Sequence, residues 1–171
     1  MRKSALLATA IACLIGSSPS AARAAPAPCD ERDAKTYGEL NERLSRKAVE
    51  VINRASARDG ETDSRLRALV APDAPFSTGG GDVRIVLDPG VAGARALARD
   101  MKADSFRFYG WGGIPMLIED ACGTHKVEVE FVNKAQDSAY PVTFTFRAGR
   151  IVEAAGWQRP LNSGPIAPFR D

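Results

Sequence analysis

The sequence predicts an α+β domain in which helices come first and a long antiparallel sheet follows. Apolar residues recur at spacings of three and four as far as Met101, which is the pattern of amphipathic helices. From Ser105 onwards the period changes to two, which is the pattern of half-buried strands. Because the two kinds of segment are segregated along the chain, we expect the helices to cover one face of the sheet.

The first 24 residues are predicted to be a cleavable signal peptide. A cationic start precedes an apolar run over residues 5–16, which is too short to span a bilayer, and Ala22-Arg23-Ala24 fits a signal peptidase site. The mature chain would then start at Ala25 and work in the periplasm or outside the cell. Lipidation at Cys13 is the alternative, and the apolar run that continues beyond Cys13 argues against it.

The length and net charge of the mature chain limit the kinds of partner that it is expected to bind. Of the 171 residues, 147 remain without the leader, enough for one domain with its own core. The leader holds three of the 23 basic residues, so 20 face 21 acidic ones and the net charge becomes −1. A near-neutral chain without basic runs predicts no nucleic-acid partner. No second apolar segment approaches membrane-spanning length, so no membrane span is expected after leader removal.

Two cysteines remain after the leader, Cys29 and Cys122. In an exported domain they most simply form a disulfide, which would stabilise the fold by about 4–5 kcal/mol in the chain-entropy model. Free or intermolecular thiols are the alternative. Two cysteines and one histidine without close spacing are a poor ligand set, so we expect no metal and no cofactor.

The first predicted helix is long and amphipathic. Thr36 and Glu39 form a capping box at its start, and Asp59-Gly60 is expected to end it. Charged residues fill the opposite side, which we interpret as a solvated face. The predicted apolar stripe consists of Tyr37, Leu40, Leu44, Ala48, Val51 and Ala55.

Two further helices and a glycine run follow. A short helix is predicted over Asp63–Ala71, and a third begins at Asp88-Pro89 with Asp88 as N-cap. Between them, Gly79-Gly80-Gly81 lacks the Lys-Ser/Thr continuation of a phosphate-binding loop, so we expect a mobile loop, and Arg84–Leu87 is expected to form a short strand. The apolar side of the third helix, which is predicted to face the core, consists of Val91, Ala94, Leu97, Ala98 and Met101.

The sheet is predicted as a hairpin followed by a meander. Gly112-Gly113 separates two apolar runs, a tight turn that would pair Trp111 with Ile114 and Tyr109 with Met116. The next three segments, 125–133, 140–147 and 150–157, alternate between an apolar and a polar face. We expect the outward face to carry Lys126, Glu128, Glu130, Thr143 and Thr145. The inward, apolar face is expected to carry Val127, Val129, Phe131, Val142, Phe144 and Phe146.

Several segments together resemble the nuclear transport factor two-like superfamily, which includes ketosteroid isomerases and SnoaL-type cyclases. They are RLRALVAPDAPFS, GVAGARALARDM, VEVEFVNK and YPVTFTFRAGRIVEAAGW. The resemblance implies three N-terminal helices packed on a curved, cone-like sheet, a small apolar ligand at the mouth or interior, and a homodimer through the opposite face. The corresponding domain division is an N-terminal arm over 25–34, a cone-fold domain over 35–158 and a Pro-rich tail over 159–171.

The resemblance does not select an activity, because the family's catalytic residues cannot be matched to this chain one by one. Our preferred hypothesis is an exported, non-catalytic domain that binds a small apolar ligand or a protein partner. The alternatives are a small acid–base lyase or isomerase, and a component of an envelope assembly. The hairpin face is the predicted ligand site, with Tyr109, Trp111 and Met116. The titratable candidates for acid–base work are Glu119, Asp120, His125, Glu128 and Glu130.

Overall fold

Three helices and seven strands make up residues 29–58, 62–108 and 116–161, the part of the chain that the computed structural model describes. The helices are α1 (Tyr37–Ser56), α2 (Ser64–Leu69) and α3 (Gly90–Met101). The strands are β1 (Phe76–Gly80), β2 (Val83–Val86), β3 (Ser105–Phe108), β4 (Thr124–Asn133), β5 (Ser138–Arg147), β6 (Arg150–Gly156) and β7 (Arg159–Pro160). The predicted leader, the Asp59-Gly60 helix end and the Gly112-Gly113 turn lie outside these residues.

The sheet is mixed, whereas the sequence predicted an antiparallel one. Its strand order is β2-β1-β6-β5-β4-β3, and β7 also pairs with β5. Among the paired strands of the described residues, β1 and β6 are parallel, with Phe76 opposite Ala154. The β1–β2 hairpin lies between α2 and α3, so the helices do not all precede the strands. The α+β class is confirmed, but the complete segregation of helices and strands is not.

The prediction of a mobile loop at the glycine run was wrong. Gly79 and Gly80 are the end of β1, and Gly81 follows with a positive φ of 57° in the turn to β2. A Cβ at Gly79 would lie 2.7 Å from the Trp157 ring and 2.4 Å from the Val83 carbonyl oxygen. The glycine therefore permits a close approach of neighbouring strands. Because glycine has no side chain, the alternation of apolar and polar residues that would predict a strand is absent from this part of the sequence.

The predicted first helix is confirmed in its start and its buried stripe. Thr36 Oγ1 accepts from the Glu39 amide at 3.2 Å, and the Glu39 carboxylate accepts from the Lys35 amide at 2.8 Å, one residue before the N-cap. The stripe is buried from Leu40 to Ala55. Tyr37 differs, because it is 42% exposed at the first turn.

The other helices begin in two different ways. Asp63, predicted as the first residue of α2, is its N-cap and accepts from the amides of Arg65 and Leu66 at 2.8 and 3.0 Å. In contrast, Asp88 does not cap α3: the N-cap is Pro89, without a side-chain hydrogen bond. Gly90 has a φ of +65°, and its amide donates to the Ala74 carbonyl at 2.8 Å, which delays the start of the helix.

The core lies between the helices and the inner face of β4, β5 and β6. The predicted inward residues of β4 and β5 are all buried there, and the Phe131 and Phe144 rings meet edge to face at 6.2 Å. These phenylalanines, with Leu97 and Met101 of α3, fill the middle of the domain. Two clefts lie at the ends of the sheet, one beside α1 and β4 and one beside the β1–β2 hairpin.

Glu130 was predicted to face solvent, and this was wrong: its exposed fraction is 0%. It lies on the outer face as expected, but its carboxylate is enclosed by two guanidinium groups. Arg107 pairs with it directly across β3 and β4, and Arg159 Nη2 of β7 lies 2.5 Å from Glu130 Oε1. Burial of a carboxylate is tolerated here because both of its oxygens have charged partners.

The N-terminal arm is joined to the domain covalently and by hydrogen bonds. The predicted disulfide between Cys29 and Cys122 is present. Glu31 and Lys47 form a buried ion pair beneath the turn between β5 and β6. The Tyr37 amide donates to the Met116 carbonyl at 3.0 Å, so the segment around Met116 pairs with the chain that enters α1.

Candidate functional site

A groove of about 390 Å³ opens between the first turns of α1 and the start of β4. Its volume lies within the range of sites that hold small molecules. The helical period places three successive turns of α1 along one wall, and β4 forms the other. The lining consists of Tyr37, Leu40, Asn41, Leu44, Met116, Thr124, His125, Lys126 and Val127.

The floor of the groove is apolar and its rim is partly exposed. Leu40, Leu44 and Val127 are buried and belong to the core of the domain. Met116 and Tyr37 stand at the rim, 59% and 42% exposed. Two large side chains that face water beside a buried apolar floor form the kind of surface that a small apolar molecule can cover.

The polar side of the groove centres on His125. Its Nε2 lies 2.7 Å from the backbone carbonyl oxygen of Asp120. The Tyr37 and His125 rings meet edge to face, with centroids 6.4 Å apart and an interplanar angle of 71°. Lys126, the next residue of β4, is exposed at the rim. The ring of His125 is therefore held on two sides.

The turn that supplies the Asp120 carbonyl is itself anchored. The Asp120 carboxylate accepts from the Cys122 amide at 3.0 Å, and its carbonyl also accepts from the Gly123 amide at 3.2 Å. Cys122 is bonded to Cys29, and its carbonyl accepts from the Ala148 amide at 2.8 Å. The disulfide thus fixes the turn beside the groove to the arm that leads into α1.

The structure brings one predicted ligand residue, Met116, into this lining. Tyr109 and Trp111, the other two, lie outside the described residues. Sequence analysis did not identify Tyr37 as a site residue. Its place at the end of the apolar stripe could have indicated such a role, because a tyrosine combines an apolar ring with a hydroxyl that suits a partly exposed position.

Of the titratable candidates, only His125 lines the groove with its side chain. Asp120 contributes its backbone carbonyl, and Glu119 and Glu128 are exposed residues outside the lining. Glu130 lies on the outer face of the sheet, paired with Arg107 and Arg159.

A second cleft, of about 480 Å³, lies at the other end of the sheet beside the β1–β2 hairpin and the turn between β4 and β5. Polar groups dominate it: Thr78 Oγ1 donates to Asp100 Oδ2 at 2.7 Å. Burial and the negative charge of Asp100 raise the pKa of the nearby Tyr140 hydroxyl. Because it lacks a continuous apolar floor, this cleft is a poorer site for an apolar ligand than the groove.

Residues 29–58, 62–108 and 116–161 contain no group of three or more His, Cys, Asp or Glu side chains that could hold a metal ion. Within the same ranges, no helix combines the length and apolarity needed to cross a membrane.

Comparison with known proteins returns structural similarity only. No family model and no curated protein matches the chain. A protein of unknown function from Burkholderia xenovorans, described as like nuclear transport factor two, is 19% identical with a TM-score of 0.37, covering 74% of this chain and 91% of its own. A ketosteroid isomerase-like protein from Kribbella flavida is 16% identical with a TM-score of 0.38, covering 75% of this chain and 84% of its own.

A de novo designed protein with the nuclear transport factor two fold is 15% identical with a TM-score of 0.41, covering 70% of this chain and 87% of its own. The fold itself rests on the element order and sheet topology described above. Identities below 20% establish neither an activity nor a ligand for this chain.

Proposed function

We propose that this chain is an exported, non-catalytic cone-fold domain that binds a small apolar ligand in the groove between α1 and β4. The observation that carries the proposal is the groove itself, about 390 Å³ with a buried apolar floor of Leu40, Leu44 and Val127. Sites for small molecules combine such a floor with a few polar groups that orient the ligand. His125, Asn41 and the Tyr37 hydroxyl are polar groups of this lining.

The alternative of an acid–base lyase or isomerase has less support. Such an enzyme needs a carboxylate or histidine that faces its substrate. The buried carboxylates of Glu31 and Glu130 are both ion-paired, with Lys47 and with two arginines, and neither belongs to the groove lining. His125 is the titratable group left in the groove for that role, and the ligand-binding proposal uses it to orient the ligand.

Native mass spectrometry of protein purified from its own host tests the proposal most directly. We expect a retained apolar molecule that leaves on mild activation. The same spectrum reports dimerisation, so a ligand-free dimer would favour the protein-partner hypothesis instead.

Two neighbouring methionine and leucine side chains supply a matched pair of variants. Met116 lines the groove, whereas Leu117 is 77% exposed and is not part of the lining. Met116→Ala should weaken binding of an apolar fluorescent probe by about fivefold, as expected for a loss of ~1 kcal/mol of apolar contact. Leu117→Ala should leave it unchanged. Equal effects of the two substitutions would contradict binding in this groove.

Export is tested separately at the N-terminus. The Ala22-Arg23-Ala24 site predicts that the processed protein begins at Ala25. N-terminal sequencing of the protein from its host should show this start. An acylated chain beginning at Cys13 would contradict a soluble exported domain.

A further inference from the structure

The hydrogen bond at His125 determines which ring nitrogen carries the proton. A backbone carbonyl has lone pairs and no proton, so at 2.7 Å from the Asp120 oxygen the Nε2 atom must be the donor. In the neutral ring the other nitrogen, Nδ1, is then an acceptor. His125 is a lining residue of the groove, so this acceptor belongs to the site and its identity is set by the backbone.

The proton stays on Nε2 because the Asp120 carbonyl and the His125 ring are both fixed in position. The Asp120 carbonyl lies in the turn fixed by the disulfide and by its hydrogen bond from Gly123. On the other side, the edge contact with Tyr37 fixes the plane of the ring. A ring flip would place a C–H against the Asp120 oxygen and lose the bond.

The other polar residues of the lining differ from this acceptor because each of them can donate. Asn41 has an acceptor in its amide oxygen, but the same amide carries two donor hydrogens, whereas neutral Nδ1 only accepts. The Lys126 ammonium can only donate, and the hydroxyls of Tyr37 and Thr124 can do either. A carboxylate ligand can only accept, so it would find no proton at Nδ1. An exposed ammonium such as that of Lys126 typically strengthens binding of an anion by less than about fivefold, because water screens it.

We infer that the groove selects apolar molecules that carry a hydroxyl, an alcohol or a phenol, whose O–H donates to Nδ1 of His125. Its oxygen remains free to accept from a donor at the rim. This inference rests on the proposed function and names the ligand class of the same site. It predicts discrimination against a carboxylate or an ether with the same apolar body.

The first test needs no ligand. His125 is the single histidine of the chain, so a long-range ¹H–¹⁵N correlation spectrum contains one imidazole. In mildly alkaline buffer we expect the pattern of the Nε2–H tautomer. A predominant Nδ1–H tautomer would overturn the inference, whatever the groove binds.

The second test compares three probes with one apolar body: β-naphthol, its methyl ether and β-naphthoate, each titrated by fluorescence. We expect β-naphthol to bind about three- to tenfold more tightly than the ether, the usual effect of one hydrogen bond. His125→Phe should abolish this preference, and His125→Leu, which also has no acceptor, should do the same if the first variant does not fold. Glu128→Gln, on the same strand but outside the lining, is the matched control and should retain the preference.

The outcomes separate the two proposals. If all three probes bind the wild-type protein equally, or β-naphthoate binds most tightly, the ligand class is wrong while the binding groove stands. If none of the three binds, the proposed function fails and the inference fails with it.

Discussion

The two halves of β4 share the alternation of inward apolar and outward polar residues as far as Phe131, but they lie in different surroundings. In the first half, Thr124 and Lys126 are exposed beside the groove, and only Val127 is buried. In the second half, every residue from Val129 onwards is buried, including Glu130 on the outer face. One strand thus forms a partly exposed groove wall at one end and is buried on both faces at the other.

The difference shows that alternation assigns a residue to a face of the sheet but does not determine its burial. Glu130 lies on the polar face as its spacing predicts. It is enclosed because Arg107 and Arg159 reach it from β3 and β7. At the opposite end of β4, the arm and the entrance to α1 leave a groove instead of a closed contact.

The largest expected effect concerns the disulfide that anchors the turn beside the groove. Replacing Cys29 and Cys122 together by serine should lower the free energy of unfolding by about 4–5 kcal/mol, since the bond closes a loop across 93 positions. Denaturant unfolding measures this loss, and the reduced wild-type protein should show a similar one. Free thiols in freshly isolated oxidised protein would contradict the bond.

Phe144 tests the core on which both halves of β4 rest. It lies opposite Val127 and packs edge to face on Phe131, with no exposed surface. Phe144→Ala should destabilise the domain by about 3–5 kcal/mol, as for other large core residues. Thr143→Ala, on the outer face of the same strand, should cost much less in the same unfolding experiment. Comparable losses at both positions would mean that the faces of β5 are wrongly assigned.

Two glutamates, Glu130 and Glu128, test the difference in burial between the two halves of β4. Glu130→Gln should lower the free energy of unfolding by about 3 kcal/mol, because it leaves Arg107 largely buried without its counter-charge. Glu128→Gln, two residues earlier on the same face but exposed, should change stability by less than about 0.5 kcal/mol. Equal values in thermal or denaturant unfolding would remove the distinction between the two halves.

The smallest effect is expected at the entrance to α1. Thr36→Ala removes the oxygen that accepts from the Glu39 amide and should cost about 1 kcal/mol of stability. Thr36→Ser keeps that oxygen and serves as the control. Loss of stability in the serine variant as large as in alanine would argue for a role of the methyl group instead of the cap.

Much of the architecture was predictable because it depends on local chemistry. The cap at Thr36, the buried stripe of α1, and the inward residues of β4 and β5 follow from periods of 3.6 and 2. The strand through Gly79 and the parallel β1–β6 pairing were not predictable, because glycines carry no period and pairing partners are distant in sequence. The start of α3 was misplaced because Gly90 adopts a conformation that no local pattern announces.

The sequence by itself determined the class of the domain, the faces of its strands and the pairing of Cys29 with Cys122. Each depends on residue type or spacing. Only the tertiary structure decided that Glu130 is buried, that the Tyr37 and His125 rings meet, and that the Asp120 carbonyl oxygen lies 2.7 Å from His125 Nε2. These three depend on which distant segments come into contact, and the free energy of a contact depends on the surroundings that both partners share.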